Sequence, residues 1–346
     1  MEQFAFLHEQ GSSHGASRIF RHAYEDPSYV QLCLAADEGW QALEHDAADK
    51  LLYRTGGLDI GGPDNEALDR IEAALESAGR PGERLSAGDV NSRFPAYRLR
   101  AGQSALYQQD AGILDAHRCL AALQRQAARR GAELLEETAA HRIEARDDHV
   151  TVSTHRGDFT AERLVVTAGA WLGRLMKDLK LPLTVEQQQV LYVRVRHIPD
   201  FSIGAFPLFI HRDSYVYGLP VYERPNCIKV SDHAGAPRID LEERRTELMK
   251  DRAADTIDRL GAFLPGAGKE LAHYQLCLYT KTPDEHFILD RHPEHANIVI
   301  GGGFSGHGFK FGPILGDILA ELSSNGTTRH DIRRFGVDRL LRMRRG

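Results

Sequence analysis

The stretch from Cys277 to Phe311, CLYTKTPDEHFILDRHPEHANIVIGGGFSGHGFKF, restricts the fold more than any other part of the chain. Asn297 to Ile300 reads as a buried strand running straight into seven residues of which four are glycine, Gly301, Gly302, Gly303 and Gly306. His307, Gly308 and Lys310 follow, and a helical pattern starts at Gly312-Pro313. A glycine-rich strand-to-helix turn lets backbone N–H groups approach an anion or a polar ring closely, and the helix N-terminus adds positive potential. With a lysine in the turn and a thiol upstream, the stretch reads as a place where an electron-rich group is held.

The rest of the chain alternates helical and strand patterns. Residues 28 to 46, 65 to 79 and 240 to 261 have helical spacing, as does Leu114 to Arg130, which Gly131 stops. Ser86 to Phe94 reads as a short helix, with Ser86 and Asp89 at capping-box positions. Strands are expected at 51–62, Glu133–Glu137, His149–Ser153 and Leu271–Tyr279, and a larger antiparallel sheet over 185–230. Arg163 to Ala170 has continuous apolar residues, which predicts a strand covered on both faces, as in a parallel sheet flanked by helices. The pattern is mixed α/β: two interleaved domains, one holding a nucleotide-like ligand and one lidding it.

Composition narrows the partners. The 346 residues have room for two domains, and a net charge of −6 argues against nucleic acid. No apolar window approaches the roughly 20 residues of a membrane span. MEQFAFLHEQGSS lacks the basic start and long apolar core of a signal peptide. Cys33, Cys119, Cys227 and Cys277 are scattered without metal or redox spacing, which fits a reducing, cytoplasmic setting. Arg333 to Arg345 is expected to be a solvated tail. His286, His292 and His295 have no ligand geometry around Pro293, so no metal is expected. Ser305-Gly306-His307 does not match GxSxG, which sets a hydrolase aside.

GSSHGASRIFRHAY (11–24), VVTAGAW (165–171), YVYGLP (215–220) with IKVSDH (228–233), and CLYTKTPDEHFILD with GFSGHGFKF (277–290, 303–311) occur in that order. Together they resemble the monomeric sarcosine oxidase family of FAD-dependent amine oxidases, which includes N-methyltryptophan oxidase, over nearly the whole chain from residue 2. The resemblance implies an FAD-binding domain of Rossmann type from residues 1–46, 105–180 and 273–346. An antiparallel-sheet substrate domain would comprise 47–104 and 181–272. It implies FAD joined by a thioether from Cys277, where the chemistry calls for surroundings that favour thiolate. Glu2, Ser13, His14, Thr167, Gly169, Trp171, Gly303, Gly306, Gly308 and Lys310 would surround the cofactor.

Arg21 and Lys310 would hold a substrate carboxylate, a task for which arginine is suited by its bidentate fork. Arg18 would lie over the flavin ring, sharing a face with Arg21 if this stretch is helical. Tyr217 and His233 would line the amine pocket, with Tyr279 as a further aromatic wall. Lys229 would be the cation that helps dioxygen accept electrons. Between Tyr217 and Lys229 the chain carries one residue more than the family pattern. The implied enzyme is a cytoplasmic monomer that oxidises a sarcosine-like secondary amino acid, with CLYTKTPDEHF closer to sarcosine oxidase than to the N-methyltryptophan enzyme. The products would be the demethylated amino acid, formaldehyde and hydrogen peroxide.

The family pattern opens with a strand, GxGxxG and a helix, a unit of about 30 residues ending at an acidic ribose-binding residue. This sequence lacks the unit and opens at MEQFAF, with Glu2 resembling that acidic residue. Two expectations follow: a start upstream of Met1, favoured by the intact site residues, or a truncated, non-catalytic copy that does not bind FAD.

Overall fold

The computed structural model describes residues 1–233 and 235–343. An eight-stranded sheet runs in the order Ala267–Lys281, Thr184–Val195, Cys227–Asp232, Val216–Leu219, Leu208–His211, Gly57–Gly61, Ser104–Gln108, Glu83–Ser86. Its pairings are antiparallel except that Leu208–His211 lies parallel to Gly57–Gly61. Beside it, Leu164–Val166 pairs in parallel with Ile298–Gly302, which pairs antiparallel with Ile288–Arg291. Two further three-stranded sheets, around Gly112–Leu114 and Val150–Thr154, complete the mixed α/β fold.

Helix Pro27–Ala47 starts where Asp26 caps the Ser28 N–H and Pro27 presets the first turn. It packs on helix Gly312–Asn325 at a place where only glycine fits: a Cβ on Gly39 would lie 2.5 Å from Pro313 Cβ. The capping box of Ser86 and Asp89 opens helix Ala87–Arg93 as expected.

Five expectations are corrected. Residues 133–137 form no strand; their backbone bonds go to the irregular N-terminal segment, with Glu2 N–H donating to Leu135 O at 2.7 Å and Glu137 N–H to Phe4 O at 2.9 Å. Helix begins at Lys250 rather than 240, because Gln187 and Gln189 take the backbone groups of Arg245 and Met249 with their side-chain amides. The run 51–62 breaks at Gly56 (φ 71°) into Leu52–Arg54 and Gly57–Gly61, which join different sheets. Leu164–Val166 is covered on one face only, since Val165 is 39% exposed and faces a cleft. The arginine-rich end is not a solvated tail: Phe335 and Leu340 are fully buried, and Arg339 pairs with Asp284 at 2.8 Å. Arg344 and Arg345 lie outside the described residues.

Among the described residues no helix is long and apolar enough to cross a membrane.

Candidate active site

A cleft of ≈1540 Å³ is lined by the end of the long strand Ala267–Lys281, the glycine turn 303–308, the strand Leu164–Val166 and the segment 11–24. Every site residue expected from the sequence lines it. Arg18 opens the strand Arg18–Phe20 and Arg21 directly follows it, so neither reaches the cleft from a helix face.

The turn is fixed before any ligand is considered. Ser305, fully buried at φ 49°, donates its N–H to Thr280 O at 2.9 Å and its hydroxyl to Gly303 O at 3.1 Å. Gly306, at φ 81°, lies so close to Tyr279 that a Cβ would stand 2.4 Å from its ring. Trp40 Nε1 donates to Lys310 O at 2.7 Å and ties the turn to helix Pro27–Ala47.

Lys310 Nζ donates to the Tyr24 hydroxyl at 2.9 Å and to His307 O at 2.8 Å, and to no carboxylate. Burial, reinforced by the Arg21 guanidinium, pulls its ammonium down to about 7. Arg21 stacks on Tyr24 at 4.6 Å, and its buried Nη1 makes no hydrogen bond. Two cations therefore share one end of the cleft without an acidic partner among the described residues. Beside them, the Tyr217 and Tyr279 hydroxyls meet at 3.4 Å, and the His233 ring lies 5.7 Å from that of Tyr279. Burial pulls His233 down to about 4, so it is a neutral imidazole near pH 7.

A second cationic group lies around Gly15. A Cβ there would stand 3.4 Å from Arg18 Nη1, 3.4 Å from Gln275 Oε1 and 3.8 Å from Lys229 Nζ. Arg18 is held by the carbonyls of Ser12 (3.0 Å), Ser17 (2.8 Å) and His14, and by the face of Phe309 at 5.7 Å. Lys229, 6% exposed, is paired with Glu223 at 2.7 Å. Burial pushes the Cys277 thiol up and outweighs the opposing pull of Arg18 and Lys229, so the surroundings do not favour thiolate as expected.

Glu2, Ser13, His14, Thr167, Gly169 and Trp171 line the same cleft. Gly169 (φ 52°) has nothing within 4 Å of a Cβ position, while Trp171 is fixed between Phe4 at 5.5 Å and the Arg244 guanidinium at 4.9 Å. Sequence reasoning missed Tyr24, Ser17, Tyr192, Glu223 and Gln275. Only Tyr24 and Ser17 fall inside a recognised motif, RIFRHAY and its approach.

The arrangement fits an electron-rich group: one wide cleft is lined by two sets of cations, Arg18 with Lys229 and Arg21 with Lys310. Residues 2–322 match the family model described as FAD dependent oxidoreductase. The chain belongs to the FAD-dependent oxidoreductase family. Within that family it is 37% identical over 349 residues to human peroxisomal sarcosine oxidase, covering 98% of this chain and 89% of that protein. The monomeric sarcosine oxidase of Arthrobacter sp. (strain TE1826) is 34% identical over 350 residues, with the same coverage. The N-methyl-L-tryptophan oxidase of Salmonella arizonae is 32% identical over 340 residues, covering 96% of this chain and 89% of that one. The open form of NikD, an unusual amino acid oxidase, superposes with a TM-score of 0.84 at 23% identity over 97% and 89% of the two chains, and shares the fold. The protein is thus an FAD-dependent oxidoreductase of the sarcosine oxidase family, and its cofactor is FAD.

Proposed function

We propose that the enzyme oxidises a secondary N-methyl amino acid of the sarcosine class, so that R–NH–CH3, dioxygen and water give R–NH2, formaldehyde and hydrogen peroxide. The observation that carries this reading is the pair Arg21 and Lys310, two cations without an acidic partner among the described residues, at the end of an aromatic-walled cleft. An unpaired buried charge is costly, and an amino-acid carboxylate is the anion that offsets it. Arg21 and Lys310 bind the carboxylate, and Tyr217, Tyr279 and neutral His233 enclose the amine without repelling its charge.

FAD, when bound, supplies the two-electron acceptor for the N-methyl carbon and the reductant for dioxygen. Arg18, Glu2, Ser13, His14, Thr167, Gly169, Trp171, Gly303, Gly306 and Gly308 hold it, and Cys277 attaches it through a thioether. Lys229 is the fixed cation on the dioxygen side. Residues 1–46, 105–180 and 273–346 form the FAD-binding domain, 47–104 and 181–272 the substrate domain, of a cytoplasmic monomer.

Peroxide formation is expected with sarcosine and not with dimethylamine, which lacks the carboxylate; equal turnover of the two would remove the carboxylate clamp from the reading. Acid precipitation is expected to leave flavin on the wild-type protein and release it from Cys277→Ala. Flavin that stays bound in Cys277→Ala rules out this attachment point. In Lys229→Met, reoxidation of reduced flavin is expected to slow ~10-fold or more with near-normal reduction by substrate. Equal slowing of both half-reactions counts against the dioxygen role.

A further inference from the structure

A buried acid outside this scheme lies against Lys229. Glu223 sits in the turn ERPN between Val216–Leu219 and Cys227–Asp232, and its side chain is only 8% exposed. Its Oε1 accepts from Lys229 Nζ at 2.7 Å and from the Ser17 hydroxyl, and its Oε2 accepts from the Tyr192 phenol. Lys229 directs its other N–H groups at Ser17, to the carbonyl at 3.0 Å and the hydroxyl oxygen at 3.1 Å. An ammonium has three donors, so all of its directions are set by the protein. Lys310 has no such acid among the described residues.

We propose that Glu223 is a positioning residue for the dioxygen half of the reaction: it clamps the Lys229 ammonium against Ser17 and keeps it charged. The role in oxidation rests on the reading of Lys229 given above; the clamp itself rests on the geometry.

The groups that face Lys229 are Glu223 from the turn, Arg18 and His14 from the segment before and within Arg18–Phe20, Tyr192 from Thr184–Val195, and Cys277 from the long strand. Burial pulls Lys229 down to about 8, Glu223 opposes this, and Arg18 adds to it. Burial raises the Glu223 carboxyl, but Lys229, Ser17 and Tyr192 together hold it at about 2. An opposite charge at this range moves a pKa by ~1–3 units. Glu223 is therefore the foremost of the groups that hold the proton on Lys229 against burial and Arg18.

The test is Glu223→Gln, which keeps shape and removes charge. The Lys229 titration is followed by NMR of protein labelled with 13Cε-lysine, the signal being assigned by its loss in Lys229→Met. The midpoint is expected to move about one pH unit or more to the acid side, and Glu223→Asp is expected to restore part of the shift. An unmoved midpoint overturns the proposal, because a merely structural Glu223 would lower the melting temperature without changing the titration. Should Glu223→Gln fail to fold, the reciprocal measurement decides. In Lys229→Met the Glu223 carboxyl is expected to rise from about 2 into or above the ordinary range, seen as a protonated-carboxyl infrared band in acid titration. A carboxyl unchanged there also overturns the clamp. In the loaded enzyme, the pH profile of flavin reoxidation is expected to follow the Lys229 midpoint in Glu223→Gln. A midpoint that moves without the profile supports the clamp and overturns the dioxygen role of Lys229.

Discussion

Replacing Lys310 by methionine is expected to weaken sarcosine binding by ~2–5 kcal/mol, the usual cost of truncating one partner of a buried, hydrogen-bonded charge pair. That corresponds to roughly a 30- to 5000-fold loss in affinity, measured by flavin absorbance on titration with a non-oxidised carboxylic acid analogue. A loss below about threefold would show that Arg21 alone carries the carboxylate. The wild-type protein should also reveal the lysine through pH. With the ammonium at about 7 in the free protein, binding of a carboxylate is expected to take up a proton above that pH. Affinity for the acid should therefore fall by up to about tenfold per pH unit above about 7, and Lys310→Met should abolish this slope. The stability linkage has a definite sign. A lysine pulled below its ordinary 10.5 is less protonated in the folded than in the unfolded state between about 7 and 10.5. Folding stability from this group therefore rises with pH through that window, and is lowest below it. Lys310→Met should remove the dependence and, by deleting a buried cation beside Arg21, should not lower the melting temperature.

Substituting Gly306 by alanine is expected to cost about 2–5 kcal/mol, the sum of a left-handed backbone penalty and a forced repacking. The added Cβ meets the Tyr279 ring at 2.4 Å, and the backbone on both sides is pinned by Ser305 and by the Trp40 bond to Lys310. Gly131 is the control. Its φ of 88° carries the same backbone penalty, but nothing lies within 4 Å of its Cβ position. Gly131→Ala should cost only ~1–2 kcal/mol. Urea midpoints at constant m-value compare the two; equal losses would mean that Tyr279 yields freely. If Tyr279 shifts instead of the turn unfolding, the loss appears as a raised KM for sarcosine.

Some of these features are written locally in the sequence and others are not. The glycine turn, the capping box at Ser86 and the Pro27–Ala47 helix are local: short-range spacing and backbone chemistry specify them, and they were legible. Residues 240–249 were not, since their helical spacing is overridden by Gln187 and Gln189, which arrive from a strand some sixty positions away. The same applies to Val165, whose apolar run signals burial while its neighbours leave one face open to the cleft. Within the site, the motifs contained the cations Arg18, Arg21, Lys229 and Lys310 but not what surrounds each. Glu223 looks like an ordinary turn acid until Ser17 and Tyr192, from separate segments, close on it. Whether a cation is balanced or bare is a property of tertiary contact, and here it separates Lys229 from Lys310.

The long strand Ala267–Lys281 brings Gln275, Cys277 and Tyr279 to the same cleft at every second position. Its pairing with Thr184–Val195 runs unbroken from Tyr274 to Lys281, and the irregularities fall beyond His273. The strand therefore works as a ruler, with marks about 7 Å apart cut by the pleat itself. One mark lies beside the Lys229 group, the next carries the thiol, and the third stands beside Tyr217 and His233. A single inserted residue would turn one mark away from the others, whereas exchanging the side chain at a mark leaves the scale intact. Variation among such enzymes should accordingly show as changed lettering along this strand, at constant spacing.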